Sequence, residues 1–114
     1  MPSNLMPKNF DFPSGALVLL ALRVLRSGDL HGYAISQRIR QLSSDVLQVE
    51  EGSLYPALQK MLLKGWVASK WGVSESGRRV RVYHLTASGR KQLSDEVAQH
   101  ELIAQAIQDV LRTA

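Results

Sequence analysis

Basic side chains are concentrated in one segment, where a short helical pattern is followed by two strand patterns. Residues 53–85 carry six basic side chains and one acidic, whereas residues 1–52 carry five of each and residues 86–114 carry three basic and four acidic. The excess behind the net charge of +4 therefore lies in residues 53–85. Such a localised cationic patch is typical of a protein that binds a polyanion. The alternative is an ordinary solvated, lysine-rich face.

Three arginines cluster where the turn-rich sequence G-V-S-E-S-G-R meets the second strand pattern: Arg78 ends that sequence, and Arg79 and Arg81 lie at the start of the strand. Arginine suits planar, bidentate contact with phosphate, and a hairpin tip can straddle a nucleic-acid backbone or enter the minor groove. The competing interpretation is a charged edge strand that resists aggregation. The helix that precedes this hairpin favours DNA contact.

The helix predicted over residues 53–64 has the chemistry of a DNA-reading element. Gln59 can make a bidentate contact with adenine, and Lys60 can reach guanine or a phosphate. The hydroxyls of Ser53 and Tyr55 suit phosphate oxygens, while a proline such as Pro56 is typical of a first helical turn. The candidate DNA-contacting residues are Ser53, Tyr55, Pro56, Gln59, Lys60, Lys64, Arg78, Arg79 and Arg81.

Other function classes find little support in the residues. There is no cysteine, and His31, His84 and His100 share no metal-ligand spacing, so we expect no metal and no cofactor. No nucleophile–base set, paired carboxylates or Gly-rich phosphate loop stands out, which disfavours an enzyme. The longest apolar run, residues 16–22, is too short to span a bilayer. A cytoplasmic protein without a membrane partner is expected.

The 114 residues suggest one domain with two added segments. Helices are predicted from Ser14 to about residue 26, over about 32–42, over 53–64 and from about 87 to 112, with an extended stretch at 46–49 and strands at 66–71 and 79–85. This order predicts a mainly α fold with a small β-hairpin, a winged helix-turn-helix followed by a C-terminal dimerisation helix. Residues 1–13 would form a flexible arm, 14–86 the DNA-binding domain and 87–114 the dimerisation helix. Trp66 and Trp71, at the two ends of the first strand, are expected to pack rather than stack on bases.

Two helices carry more apolar surface than a domain of this size is expected to bury by itself, which suggests that a second subunit covers part of it. The first is apolar on nearly every face before Arg23, and the last has a heptad-like seam with steps of three and four residues. His100 on that seam could be a pH-sensitive interface group or a polar position that fixes register. The predicted homodimer interface comprises Leu17, Leu20, Val24, Leu93, Val97, His100, Ile103, Ala104, Ile107 and Leu111.

Several stretches resemble the PadR-type transcriptional regulators, in particular the short subgroup with one C-terminal helix. The matching pieces are G-A-L-V-L-L-A-L at 15–22, L-H-G-Y at 30–33, E-E-G-S-L-Y-P-A-L at 50–58, G-W-V at 65–67, R-V-Y-H-L-T at 81–86 and Gly89. They cover about residues 14–91 in the family's order, and E-G-S-L-Y-P-A-L is highly specific. The last helix matches in position and length more than in sequence.

The resemblance implies a homodimeric repressor that binds double-stranded DNA at a pseudo-palindromic operator. The family's recognition helix corresponds to residues 53–64, its phosphate-contacting tyrosine to Tyr55, and its basic wing to the three arginines. His31 and Tyr33 would be structural, with phosphate contact as the alternative. Some members release DNA when a phenolic acid or planar drug binds at the dimer interface. The last helix here has no aromatic residue, which disfavours a drug sandwich and leaves Phe10, Phe12 and His100 as effector candidates. Core packing is the favoured role for the two phenylalanines. The alternative function is a winged-helix protein-interaction adaptor, which would not need the arginine cluster.

Overall fold

The computed structural model describes residues 14–113, so the predicted arm, with Phe10 and Phe12, lies outside the described residues. Within that range the fold consists of four helices and a three-stranded antiparallel sheet, which confirms the predicted fold class. The elements are α1 (Ser14–Arg26), β1 (Leu30–His31), α2 (Gly32–Leu42), α3 (Glu51–Leu63), β2 (Val67–Val73), β3 (Arg79–Leu85) and α4 (Ala87–Leu111).

Helix α1 lies at the centre of the core and contacts α2, α3, α4 and β3. Ala21 and Leu22 are completely buried because every neighbour presents apolar side chains to them. Leu17 and Val24 are also buried within the same chain, and Leu20 is half-buried. The predicted burial of α1 is therefore achieved without a second subunit. Leu17 and Val24 have almost no surface left for the interface that the sequence predicted there.

The sheet has the order β1-β3-β2, which makes β3 its central strand. Leu30 pairs with Tyr83 at one edge of β3, and Trp71 pairs with Arg81 at the other. The predicted hairpin is thus present, but the predicted extended stretch at 46–49 is not a strand. The third strand is instead β1, whose two residues are too few to show any periodicity in the sequence.

Helix α3 begins at Glu51, two residues before the predicted start. The Glu50 carbonyl accepts hydrogen bonds from the backbone N–H groups of Ser53 and Leu54, both at 3.0 Å, and these bonds close the first turn early. Pro56 consequently lies in the second turn rather than the first, which corrects its assignment as a first-turn residue. The predicted stop at Gly65 is confirmed by its φ of 76°.

The stop is a Schellman arrangement. The Trp66 N–H donates to the Met61 carbonyl, and the Gly65 N–H donates to the Leu62 carbonyl, both at 3.0 Å. The chain therefore reverses sharply out of α3 into β2, so that the helix and the hairpin are held next to each other.

Thr86 and Gly89 join the sheet to α4. The Thr86 hydroxyl donates to the Gly65 and Trp66 carbonyls, at 2.7 and 2.9 Å, and accepts from the Gly89 N–H at 3.0 Å. The sequence allows either Thr86 or Ser88 as the cap of the last helix, and the structure has Thr86 as the N-cap of α4. A Cβ added at Gly89 would overlap the Trp66 carbonyl oxygen, so the first turn of α4 can lie this close only with glycine.

Beyond this junction, Leu93 is buried against the core, whereas most of the later residues of α4 are exposed. Within residues 14–113, none of the helices combines the length and apolarity that crossing a membrane requires.

Gly89→Ala should lower the free energy of unfolding by about 1–3 kcal/mol, because the new methyl group forces the start of α4 away from Trp66. Ser88→Ala is the matched control, since Ser88 is exposed in the same helical turn. Urea denaturation followed by circular dichroism measures both. Equal midpoints for the two variants would contradict the close contact.

Candidate nucleic-acid interface

An open cleft of about 1060 Å³ lies between the start of α2 and the hairpin β2–β3, called the wing from here on (residues 67–85). Polar and aromatic side chains line it from both sides. From α2 and α3 come Tyr33, Gln37 and Tyr55, and from the wing come Trp71, Arg78, Arg79 and Arg81. The wing arginines and two tyrosines therefore line the same cleft.

The α2 side of the cleft is built on a capped helix start. The His31 Nδ1 atom accepts a hydrogen bond from the Ala34 backbone N–H at 3.3 Å, which makes His31 the N-cap of α2. The Tyr55 ring lies over Gly32, where an added Cβ would be 3.2 Å from the ring edge. This contact directs the Tyr55 side chain from α3 across to α2 and into the cleft. The structural role expected for His31 is confirmed.

A compact turn holds the arginines at the tip of the wing. The Ser74 N–H donates to the Arg78 carbonyl at 2.8 Å, and the Arg78 N–H donates to the Ser74 hydroxyl at 3.2 Å. Gly77 completes the turn at a φ of 83°, a conformation that favours glycine. The backbone that carries Arg78 and Arg79 is therefore fixed by hydrogen bonds on both sides of the turn.

Trp71 lies beneath two of these arginines. The guanidinium carbon of Arg79 is 4.3 Å from the centre of the Trp71 ring, and that of Arg81 is 5.3 Å away. Trp71 is 56% exposed, so the prediction that it packs in the core is wrong. Trp66 does pack against the core, as expected. Trp71 is exposed because it pairs with Arg81 across the hairpin. The length of the turn does not fix the hairpin register, so this pairing could not be predicted from the sequence.

Tyr83 continues the same face of β3 into the core, as predicted. Burial raises the pKa of its phenol above the ordinary value, the Arg81 cation opposes that rise, and Tyr55 adds to it. Because the pKa moves upward, the Tyr83 phenol stays neutral at physiological pH and adds no negative charge beside the arginines.

The core side of α3 consists of Leu54, Leu58 and Met61, all fully buried. The opposite side is exposed and carries the remaining predicted DNA-contacting residues, Ser53, Pro56, Gln59, Lys60 and Lys64. Leu63 also lies on that outward side and is 82% exposed. It was not among the predicted DNA-contacting residues, although its spacing of four residues from Gln59 places both on one side of the helix. Tyr55 and the wing arginines line the cleft, whereas these five residues lie outside its lining.

The charges of the wing are not neutralised by ion pairs within residues 14–113. The two ion pairs there join Arg40 to Asp45 and Lys91 to Asp95. In the same range, no three histidine, aspartate or glutamate side chains come together as a metal site would require. The wing therefore presents cationic groups to solvent.

The predicted interface residues of α4 divide into a buried and an exposed part. Leu93 is buried in its own chain, Val97 and Ala104 are half-buried, and His100 is exposed. The second half forms an apolar stripe of Ile103, Ile107, Val110 and Leu111, defined by its helical spacing and exposure. Ile103 and Ile107 are 52% and 53% exposed. Val110 was absent from the predicted set.

Among known protein families, one matches most of this chain. The model of the "Transcriptional regulator PadR-like family" matches residues 21–95, a range that includes α2, α3, the wing and the start of α4. The chain belongs to the PadR-like family of transcriptional regulators. The family, predicted from the E-G-S-L-Y-P-A-L stretch and its neighbours, is thereby confirmed.

Relatives and solved structures agree with this PadR assignment. A transcriptional regulator of Mycobacterium tuberculosis is 30% identical over 97 residues, covering 85% of this chain and 87% of that protein. The negative transcriptional regulator PadR of Bacillus subtilis is 26% identical over 88 residues, covering 77% of this chain but 48% of that longer protein. A transcriptional regulator of Clostridium thermocellum superposes with a TM-score of 0.76 at 28% identity, covering 83% of this chain and 92% of that one.

His31→Ala should lower the free energy of unfolding by about 1 kcal/mol, because α2 loses the side-chain cap of its first turn. His31→Asn should retain most of the stability, since the asparagine oxygen can accept the same hydrogen bond. Thermal denaturation of the three proteins measures the difference. If the alanine and asparagine variants lost the same free energy of unfolding, the side-chain cap would not contribute to stability.

Proposed function

We propose that this PadR-family chain is a homodimeric, sequence-specific repressor that binds double-stranded DNA through α3 and the wing. The observation that carries the proposal is the cationic wing, whose arginines are free of ion pairs within residues 14–113 and line the same cleft as Tyr55 of α3. Binding rather than catalysis is supported by its relatives, which are transcriptional regulators.

The wing supplies contact with the DNA backbone. Guanidinium groups bind phosphate through two hydrogen bonds, and each neutralised phosphate releases condensed counterions. The cleft beside the wing adds the hydroxyls of Tyr33 and Tyr55 as further phosphate partners. Such contacts would set the orientation of the protein on the duplex without reading its sequence.

The outward side of α3 supplies the reading of bases. In a helix-turn-helix, the second helix lies in the major groove, and here that helix buries Leu54, Leu58 and Met61 while it exposes Gln59 and Lys60. Gln59 matches the donor and acceptor pair of adenine, and Lys60 matches the acceptors of guanine. The exposed Leu63 offers an apolar contact of the kind that thymine methyl groups accept.

The apolar stripe of α4 supports a homodimer. Ile103, Ile107, Val110 and Leu111 share one side of the helix beyond the point where α4 leaves its own core. A second copy would cover this surface, and an isologous pair places two α3 helices on half-sites about one helical turn apart. Residues 14–86 would then be the DNA-binding domain and 87–114 the dimerisation segment.

Repression is the regulatory direction that we propose, because the related Bacillus subtilis protein is named a negative regulator. A bound dimer would block access of the transcription machinery to the operator. If a small-molecule effector relieves this block, His100 is the described candidate residue, because it is exposed on the side of α4 that bears the apolar stripe.

Arg79→Ala and Gln59→Ala should weaken DNA binding in different ways. Loss of a phosphate contact in Arg79→Ala should weaken binding to all duplexes and reduce the salt slope by about 0.9 for each lost contact. Gln59→Ala should lose about 1–3 kcal/mol at one or two base pairs and leave the others unchanged. Fluorescence anisotropy against a selected duplex and its single-base variants, at several salt concentrations, measures both.

Lys91→Ala, which removes one cation from α4 and leaves the wing intact, is the control with the same change of charge. Equal loss on every duplex after Gln59→Ala would count against base reading by that residue. A wild-type protein that binds no duplex would favour the adaptor alternative.

Ile107→Glu should convert the dimer to a monomer, since it places a charge in the middle of the apolar stripe. Ala98→Glu is the matched control, because Ala98 lies nine residues away on the opposite side of the same helix. Light scattering gives the molar mass of each variant. An Ile107→Glu protein that remains dimeric would refute the proposed interface.

A further inference from the structure

Trp71 occupies an unusual position for an aromatic side chain, on the exposed face of an edge strand beneath two cations. Arg81 faces it directly across the hairpin, and Arg79 is the diagonal neighbour toward the tip. Their guanidinium carbons are 5.3 and 4.3 Å from the ring centre. Both distances lie within the range of about 6 Å over which an indole ring attracts a cation.

The Trp71 ring offsets the electrostatic repulsion between two arginines of the wing. Arg79 and Arg81 alternate onto the same face of β3 and repel each other. Neither is part of the two ion pairs found within residues 14–113, so neither guanidinium is in contact with a carboxylate in that range. The negative face of the indole is therefore the counter-group that draws both guanidiniums to one place.

The ring also reduces the entropy that binding must overcome. A long, free arginine side chain samples many rotamers, and fixing one at an interface costs about 0.5–1.5 kcal/mol. An arginine that already rests on an aromatic surface has lost part of that freedom before it meets its ligand. Pre-organised side chains bind more tightly even when they make the same contacts.

We propose that Trp71 is a positioning residue of the wing, which holds Arg79 and Arg81 together as a preformed pair for two phosphates of the DNA backbone. The inference rests on the proposed function, since it explains how the wing binds DNA rather than whether it does. Trp71 acts through the arginines and makes no base contact of its own.

Two substitutions separate the electrostatics of the ring from its bulk. Trp71→Phe keeps an aromatic face, whereas Trp71→Leu keeps an apolar side chain without one. With a duplex selected by the wild-type protein from a randomised pool, Trp71→Leu should bind about three- to tenfold more weakly and Trp71→Phe should lie closer to wild type. Val73→Ala, on the same face of β2 and 73% exposed against 56% for Trp71, should leave the affinity unchanged.

A second comparison distinguishes positioning from direct stacking on DNA. In a protein that already carries Arg79→Ala and Arg81→Ala, Trp71→Leu should cause no further loss, because no cation remains to be held. Nuclear magnetic resonance of the free protein provides a readout without DNA. The side-chain Nε–H signals of Arg79 and Arg81 should shift in Trp71→Leu through loss of the ring current, while that of Arg78 stays in place.

The outcomes separate this inference from the function on which it rests. A wild-type protein that binds no duplex removes both. A wild-type protein that binds, with Trp71→Leu equal to Trp71→Phe, removes the positioning role alone. A loss that persists in the double-alanine background, or arginine signals that do not shift, likewise overturns it and favours direct stacking of Trp71 on the nucleic acid.

Discussion

The burial of α1 is the constraint on which the rest of the molecule depends. Its apolar side chains are covered on one side by α2 and α3, on another by β3, and on a third by the start of α4. Each of these elements carries a different part of the proposed function, and each is held in place by the same helix. Removing apolar surface from α1 would therefore loosen α3, the wing and α4 together, since close-packed protein cores transmit small displacements.

Most of the fold could be predicted from local signals with a physical basis. The α3 stop at Gly65, the Thr86 cap and the apolar faces of the helices each follow from a residue type at a required position. The elements that could not be predicted depend on distant partners. The strand β1 exists only because β3 offers it a free edge, and the early start of α3 follows from bonds to the Glu50 carbonyl.

In the candidate site, too, some features follow from local sequence and others depend on distant partners. Residue chemistry was enough to identify the wing arginines and the exposed side of α3, because charge and helical spacing are visible in the sequence. It was not enough to place Trp71, whose environment depends on which residue stands opposite in the hairpin. Nor could it show that Leu17 and Val24 would be covered by their own chain, since apolarity predicts burial but does not identify the surface that provides it.

The junction of Thr86 and Gly89 with Trp66 has a consequence for the DNA sites that such a protein can use. It joins the base of the wing to α4 without flexible residues, and α4 extends for about 37 Å from that point. In a dimer held together by α4, the separation of the two recognition helices is then a fixed length rather than an adjustable one. One base pair inserted between half-sites would turn one of them by about 35° about the duplex axis. The proposed dimer could not follow that rotation without a hinge at this junction, so the spacing of its half-sites would be as strict a requirement as their bases.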